Sequence, residues 1–251
     1  MRVACRLVSS DQVENLLSED RTFDPSPEFA KQANVKADEY ERADTDRVAF
    51  WEEQAEYLKW DKRWHTVLDW QVPFAKWFVD GKLNASVNCL DRHVEEGRGD
   101  RVAFYFEGEP GDTRTITYTD LLTDVKKCAN ALTELGIKSG DRVAIYMPMI
   151  PEAAVAMLAC ARVGAAHSVV FGGFSAEALI SRIQDADARL VITADGGYRK
   201  GAAFALKPAV DEALNGKHNV QKVLVVKRTG QDVAWNDRDV WWHEIVDRQP
   251  S

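Results

Sequence analysis

The chain has 251 residues, 45% hydrophobic and 29% charged, which is enough apolar material to bury the core of one large domain or two modest ones. Its 40 acidic against 32 basic side chains give a net charge of −8, which argues against a general nucleic-acid binder but leaves local Arg and Lys free to hold a phosphorylated ligand. Cysteines at 5, 89, 128 and 160 show no CxxC spacing, so neither a zinc site nor a disulfide framework is expected; no apolar run reads as a signal peptide or membrane span, and a cytoplasmic enzyme is the expectation.

In chain order, VENLLSED (13–20) reads as a short helix interrupted by the turn chemistry of Asp24-Pro25-Ser26-Pro27. From Val35 to about Trp77 the spacing predicts helix, and five of the eight tryptophans fall here, at 51, 60, 64, 70 and 77, so these rings are expected to pack rather than to stack on a ligand. Gly81 marks a turn, Asn84 and Asn88 read as turn or cap residues, and Cys89–Glu96 as a short helix stopped by Gly97. His93 lies on that helix with no second ligand at metal spacing. Residues 1–99 thus form a helical, Trp-rich segment expected to pack on the rest, and residues 100–251 an α/β subdomain.

That subdomain opens with a hairpin, VAFYFEGE and TRTITY about Glu109-Pro110-Gly111-Asp112. Thr119 is expected to cap the next helix, whose stripe Leu121, Leu122, Val125, Cys128, Ala129, Leu132 and Leu135 ends at Gly136. Strands and helices then alternate: strand 142–147, Pro148, helix 152–163 from Pro151 to Gly164, strand 167–171, Gly172-Gly173, and helix 176–185 capped by Ser175. Strand 189–194, a glycine- and cation-rich loop 195–201, helix 204–214, strand 220–227 and a closing short helix 241–246 complete the chain. Such alternation implies right-handed crossovers and a mostly parallel sheet with flanking helices.

Eight of the fifteen glycines lie between 136 and 201, mostly where predicted strands and helices end, and two groups stand at strand ends, where open α/β sheets bind ligands. Phe171-Gly172-Gly173-Phe174-Ser175 sets two residues without side chains before a helix N-terminus; an anion cradle and an ordinary tight turn fit it equally. Tyr198-Arg199-Lys200-Gly201 offers a guanidinium fork, a mobile ammonium and a ring able to stack on a purine; a solvated basic loop fits as well. Catalytic and metal-ligating constellations are absent from the sequence: there is no serine elbow, HExxH or GxxxxGK[ST] loop.

Four segments change that balance: WFVDGKLNASVNCLDRH (77–93), DRVAIYMPMIPEAAVAMLACARVGAAHSVVFGGFSAEAL (141–179), LVITADGGYRKG (190–201) and DVWWHE (239–244). Together they resemble the N-terminal part of the AMP-forming acetyl-CoA synthetases, within the acyl-adenylating superfamily, over about residues 40–242. The resemblance implies part of that superfamily's large N-terminal domain, and an acid–thiol ligase using ATP, CoA, acetate and Mg²⁺ by way of acetyl-adenylate. It places Phe171, Gly172 and Gly173 along the CoA nucleotide and Arg199, Lys200, Gly201 and Ala202 on its phosphates and adenine. Ala202 stands where the family commonly has a second Arg, with Lys200 a partial substitute. The ATP, acetate and Mg²⁺ sites are expected beyond residue 251, so the chain is expected to be a fragment inactive by itself, whose uncovered sheet edge invites self-association. Propionyl- or acetoacetyl-CoA synthetases and a short non-catalytic CoA- or nucleotide-binding module are the alternatives.

Overall fold

A computed structural model describes residues 22–251, which fall into two compact units, one ending at Gln54 and one starting at Ala55. The predicted helix at 13–20, and Cys5, lie outside the described residues.

The first unit is helical. Ser26 caps α1 (Pro27–Gln32), its hydroxyl accepting from the Phe29 N–H at 3.2 Å, with Pro27 opening the first turn. α2 (Ala37–Thr45) and α3 (Arg47–Ala55, which runs into the second unit) follow, and Arg42 ties them through Glu39 and Glu53 at 2.9 and 2.6 Å. Neither α1 nor α2 buries a residue, and Trp51 stays half exposed.

Beyond Ala55 the helical expectation fails. Residues 66–79 form an antiparallel hairpin, β1 (Thr66–Gln71) and β2 (Phe74–Val79), turned at a cis Val72-Pro73 bond. The rings and β-branched residues that fill this stretch suit a pleated surface better than a helix, and Pro73 lacks the N–H a helix interior needs. Trp60, Trp64 and Phe78 pack edge to face with centroids 4.8–5.5 Å apart, so these aromatics do pack, while Trp70 remains half exposed.

A helical run from 85 follows, containing two wide turns of π type, Val87–Asp91 and Val94–Arg98, and Gly97, at φ 78°, leaves helical geometry where its stop was expected. Asn84 caps it as expected, accepting from Val87 N–H, and also donates to the Arg162 carbonyl at 3.0 Å. Asn88 is no cap: it is buried, and its amide brackets Lys59 by accepting from its N–H and donating to its carbonyl. Arg162 makes a two-pronged ion pair with Asp91, at 2.7 and 2.9 Å.

The predicted hairpin is present as β3 (Val102–Glu107) and β4 (Thr113–Thr117). The next helix, α4 (Tyr118–Glu134), starts two residues earlier than expected, because Thr117 rather than Thr119 forms a reciprocal capping box with Asp120. It stops as expected: Gly136, at φ 90°, and Ile137 donate to the Thr133 and Leu132 carbonyls.

The main sheet is parallel throughout. Its strands are β5 (Arg142–Met147), β6 (Ala166–Phe171), β7 (Leu190–Ala194), β10 (Lys222–Val226) and β11 (Asp239–Trp241), in the order β11-β10-β7-β5-β6. The crossovers are α5 (Pro151–Val163), α6 (Ala176–Asp185) and α7 (Lys207–Ala213). The chain steps from β5 out to β6, then back past β5 to β7. Right-handed crossovers therefore set α5 and α6 on opposite faces, and the β5/β7 junction becomes the switch point of a doubly wound sheet. β7 is buried along its whole length, as a central parallel strand must be, and β10 nearly so. Each buried Ile or Leu here, such as Ile145, Ile192 or Leu224, contributes about 1.5–3 kcal/mol. Cys128 and Cys160 are core residues, and burial pushes the Cys160 thiol up to about 12.

Two expectations near the C-terminal half give way. The loop 195–201 and the start of the predicted helix 204–214 are instead a hairpin, β8 (Gly196–Arg199) and β9 (Ala202–Ala205), so α7 begins only at Lys207. Trp241 belongs to β11, an unpredicted fifth strand, and only Trp242–Ile245 is helical (α8). Three residues are too few to show a period. Lys207 is wholly buried, its ammonium donating to Asp211, Asp239 and the Ala234 carbonyl at 2.7, 2.8 and 3.3 Å, so all three protons are satisfied.

Candidate functional site

The carboxyl ends of β5, β6, β7 and β10 lie on one edge of the sheet, and a cleft of about 340 Å³ opens there. Met147–Ile150 leaving β5 and the ring of Phe204 form an apolar floor; Phe171 and Gly172 leave β6; Tyr198 and Arg199 come from the β8–β9 hairpin. Arg228 arrives just after β10, and Glu107–Glu109 from the β3–β4 hairpin form the facing wall.

Each glycine at the β6 end has its own reason. A Cβ on Gly172 would sit 2.7 Å from the Met147 carbonyl oxygen, so the turn packs on β5 only without a side chain. Gly173, at φ 153°, would place a Cβ 3.6 Å from the Phe171 ring and 3.8 Å from Arg199 Nη1. The bare turn and the basic turn therefore lie within van der Waals reach of each other. Ser175 is an ordinary cap, accepting from Ala178 N–H at 3.3 Å. The Tyr146 hydroxyl donates to the Phe174 carbonyl at 2.8 Å and steadies the turn from below; burial raises the pKa of this phenol.

The predicted basic group does not act as a unit. Arg199 and Ala202 pair across β8–β9, and Lys200 (φ 54°) and Gly201 (φ 76°) are the two left-handed residues of a tight hairpin turn. Arg199 enters the cleft; Lys200 and Ala202 do not line it, and Gly201 turns its N–H to the Glu109 carboxylate. Of the seven predicted residues, Phe171, Gly172 and Arg199 line the cleft, Gly173 abuts Arg199, and Lys200, Gly201 and Ala202 form the turn behind it.

Two side chains that sequence reasoning missed organise this edge. Asp195 is fully buried, and its carboxylate accepts from the backbone N–H groups of Gly196, Arg228, Thr229 and Gly230 at 2.7–3.0 Å. Saturated in this way, it sews the end of β7 to the segment after β10 and has no lone pair to spare for chemistry. Arg228 forms a two-pronged pair with Asp112, at 2.6 and 2.8 Å, beside the rings of Tyr198 and Phe106 at 5.3 and 5.6 Å. The hydrogen bond and charge of Asp112 outweigh burial and raise the Arg228 guanidinium, while Arg228 holds the Asp112 carboxyl below its usual range. Tyr198 was weighed as a ring able to stack on a purine, and Arg228 already occupies part of its face. A cation directly after a predicted strand was the available signal for Arg228; nothing local marks Asp112, 116 residues away.

The cleft combines apolar side chains with two guanidiniums, Arg199 and Arg228, and two carboxylates, Glu107 and Glu109. Among the described residues, no helix is long and apolar enough to cross a membrane. Comparison with known proteins gives two family matches: the acetyl-coenzyme A synthetase N-terminus over residues 37–89 and the AMP-binding enzyme family over 90–250. Acetyl-coenzyme A synthetase of Streptomyces avermitilis is 64% identical over 246 residues, 97% of this chain and 38% of the relative. Those of Mycobacterium tuberculosis and Deinococcus radiodurans are 58% and 51% identical, over 90% and 96% of this chain and 35% and 38% of their own length. The chain thus spans well under half of the curated relatives it matches, and its sheet, its strand-end cleft and the family match over 90–250 together make it a member of the AMP-binding enzyme family.

Proposed function

We propose that the chain is the N-terminal part of an acid–thiol ligase that joins acetate to CoA at the expense of ATP, by way of acetyl-adenylate, and that its strand-end cleft holds the phosphorylated nucleotide of CoA. The observation that carries this reading is the meeting of the two turns: Gly173 has no Cβ where one would stand 3.8 Å from Arg199 Nη1, beside the Phe171 ring. A guanidinium lying beside a backbone without side chains and a flat apolar ring suits a nucleotide phosphate. The relatives quoted are all acetyl-coenzyme A synthetases, which favours acetate over propionate or acetoacetate and a ligase over a free-standing binding module. ATP, acetate and Mg²⁺ belong to the reaction as a whole; no residue of this chain is assigned to them. A cytoplasmic location fits an enzyme with these substrates.

Calorimetric titration of the 251-residue chain with CoA tests the reading. Weak, saturable binding is expected, and Arg199→Ala should weaken it by about 1.5–3 kcal/mol, the worth of a charge-assisted contact. Equal affinity of the two proteins for CoA would remove Arg199 from the site, and no binding by either would remove CoA from the cleft.

A further inference from the structure

The basic turn leaves an electrostatic question open. It brings one guanidinium into the cleft, Arg199, while Lys200 stays outside and position 202 is an alanine. A phosphorylated nucleotide carries several negative charges, and the same cleft is walled by Glu107 and Glu109. A second cation inside it would change the balance, and the fold supplies one from a strand that the turn never touches in sequence.

We propose that Arg228 is the second phosphate-holding residue of the cleft, held in readiness by Asp112; the proposal rests on the CoA reading above. Three features are those of a prepared ligand rather than a surface ion pair. The side chain is only 19% exposed, yet it lines the cleft. Its guanidinium lies beside the rings of Phe106 and Tyr198, which leaves the edges of the plane, where the N–H groups are, to make hydrogen bonds. Its backbone is pinned by the buried carboxylate of Asp195 at 2.7 Å, so the start of the side chain is fixed as well as its end.

Asp112 takes two of the five guanidinium N–H groups, leaving three. The approach requires a bare backbone opposite: a Cβ on Gly108 would fall 2.5 Å from Arg228 Nη2 and 2.1 Å from Asp112 Oδ1. Asp112 therefore has two opposed effects. It orients the guanidinium, and it cancels part of the charge that an incoming phosphate would feel.

Those opposed effects give the test its sign. CoA affinity of the 251-residue chain is measured by calorimetry at low salt for the parent sequence, Arg228→Gln, Asp112→Asn, and the double variant. Arg228→Gln is expected to weaken binding about 3- to 10-fold, a charge-assisted contact reduced by its partner carboxylate. Asp112→Asn keeps an oxygen that accepts one guanidinium hydrogen bond but removes the charge, and is expected to tighten binding about 2- to 5-fold, a gain that added salt erodes. The double variant should fall to the level of Arg228→Gln. A purely structural pair predicts otherwise, with both single variants weakening CoA binding together; that outcome, or an Arg228→Gln affinity equal to the parent's, overturns the proposal. If Arg228→Gln does not fold, as thermal melting would show, the sign of the Asp112→Asn change still decides. Arg199→Ala run alongside separates the two readings: loss there with no change at Arg228 sinks this inference alone, and no CoA binding by the parent sinks the site itself.

Discussion

Two cation–carboxylate groups in this molecule use the same chemistry to opposite ends. Lys207 with Asp239 is sealed inside the fold, both side chains fully buried, and with Asp211, 21% exposed, and the Ala234 carbonyl every ammonium proton has an acceptor. Arg228 with Asp112 stands at the rim, partner 42% exposed, with N–H groups left over. The sealed group joins the start of α7 to the β11 end of the sheet, and removing one member strands charge where water cannot reach. The open group loses less if broken, because water reaches the half-exposed Asp112 side of it. Enclosure, more than residue type, separates a structural ion pair from one able to take a ligand.

The sharpest way to break that contrast is Lys207→Met. The buried Asp239 carboxylate would lose its cation, while Asp211 keeps Arg238 at 3.6 Å, and a loss of about 3–5 kcal/mol is expected in urea denaturation. A loss under 1 kcal/mol would show that the cluster is solvated in solution.

Asp91 with Arg162 is an intermediate case, with side chains 16% and 22% exposed. Burial raises the Asp91 carboxyl, but the hydrogen bonds and charge of Arg162 outweigh it and hold it below its ordinary range. A carboxyl depressed in the folded state contributes stability above its unfolded value, near 3.9, and loses it as pH falls through the folded one. Asp91→Asn should therefore cost about 1–3 kcal/mol at neutral pH and progressively less in acid. A difference from the parent that stays constant from pH 7 to pH 3 would refute the coupling.

Thr117→Ala removes the capping box of α4 and is expected to cost about 1 kcal/mol in a thermal melt, whereas Thr119→Ala, at the position the sequence suggested, should cost less. Equal losses would mean the box contributes nothing. The smallest effect belongs to the open pair: Asp112→Asn should leave the urea midpoint close to the parent's while shifting CoA affinity. A large destabilisation would place it with Lys207 after all.

Legibility followed the length scale of the signal. The crossover helices and strands from 140 to 194 were readable because each carries several turns of periodicity or an unbroken apolar run, and because Pro151, Gly164 and Ser175 punctuate them with fixed backbone chemistry. The hairpins at 66–79 and 196–205 were not. In the first, aromatic spacing imitated a helix; in the second, strands of four residues rich in Gly and Ala show no alternation. Part of the candidate cleft was legible for the same reason: Gly172 and Arg199, which line it, follow strands predicted in the sheet. Arg228 also follows a strand, but its meaning depends on Asp112, Phe106 and Tyr198, which come from other hairpins.

The amino-acid order by itself determined the alternation of parallel strands with helices, the positions of most caps, and the bare and basic turns at strand ends, because each depends on contacts within about a dozen residues. Only the tertiary structure decided that those turns meet, that Arg228 lines the cleft while Lys200 and Ala202 do not, and that Asp195 and Lys207 are buried. These are consequences of which strand lies beside which, and strand order is settled by burial of the whole sheet rather than by any local stretch of chain.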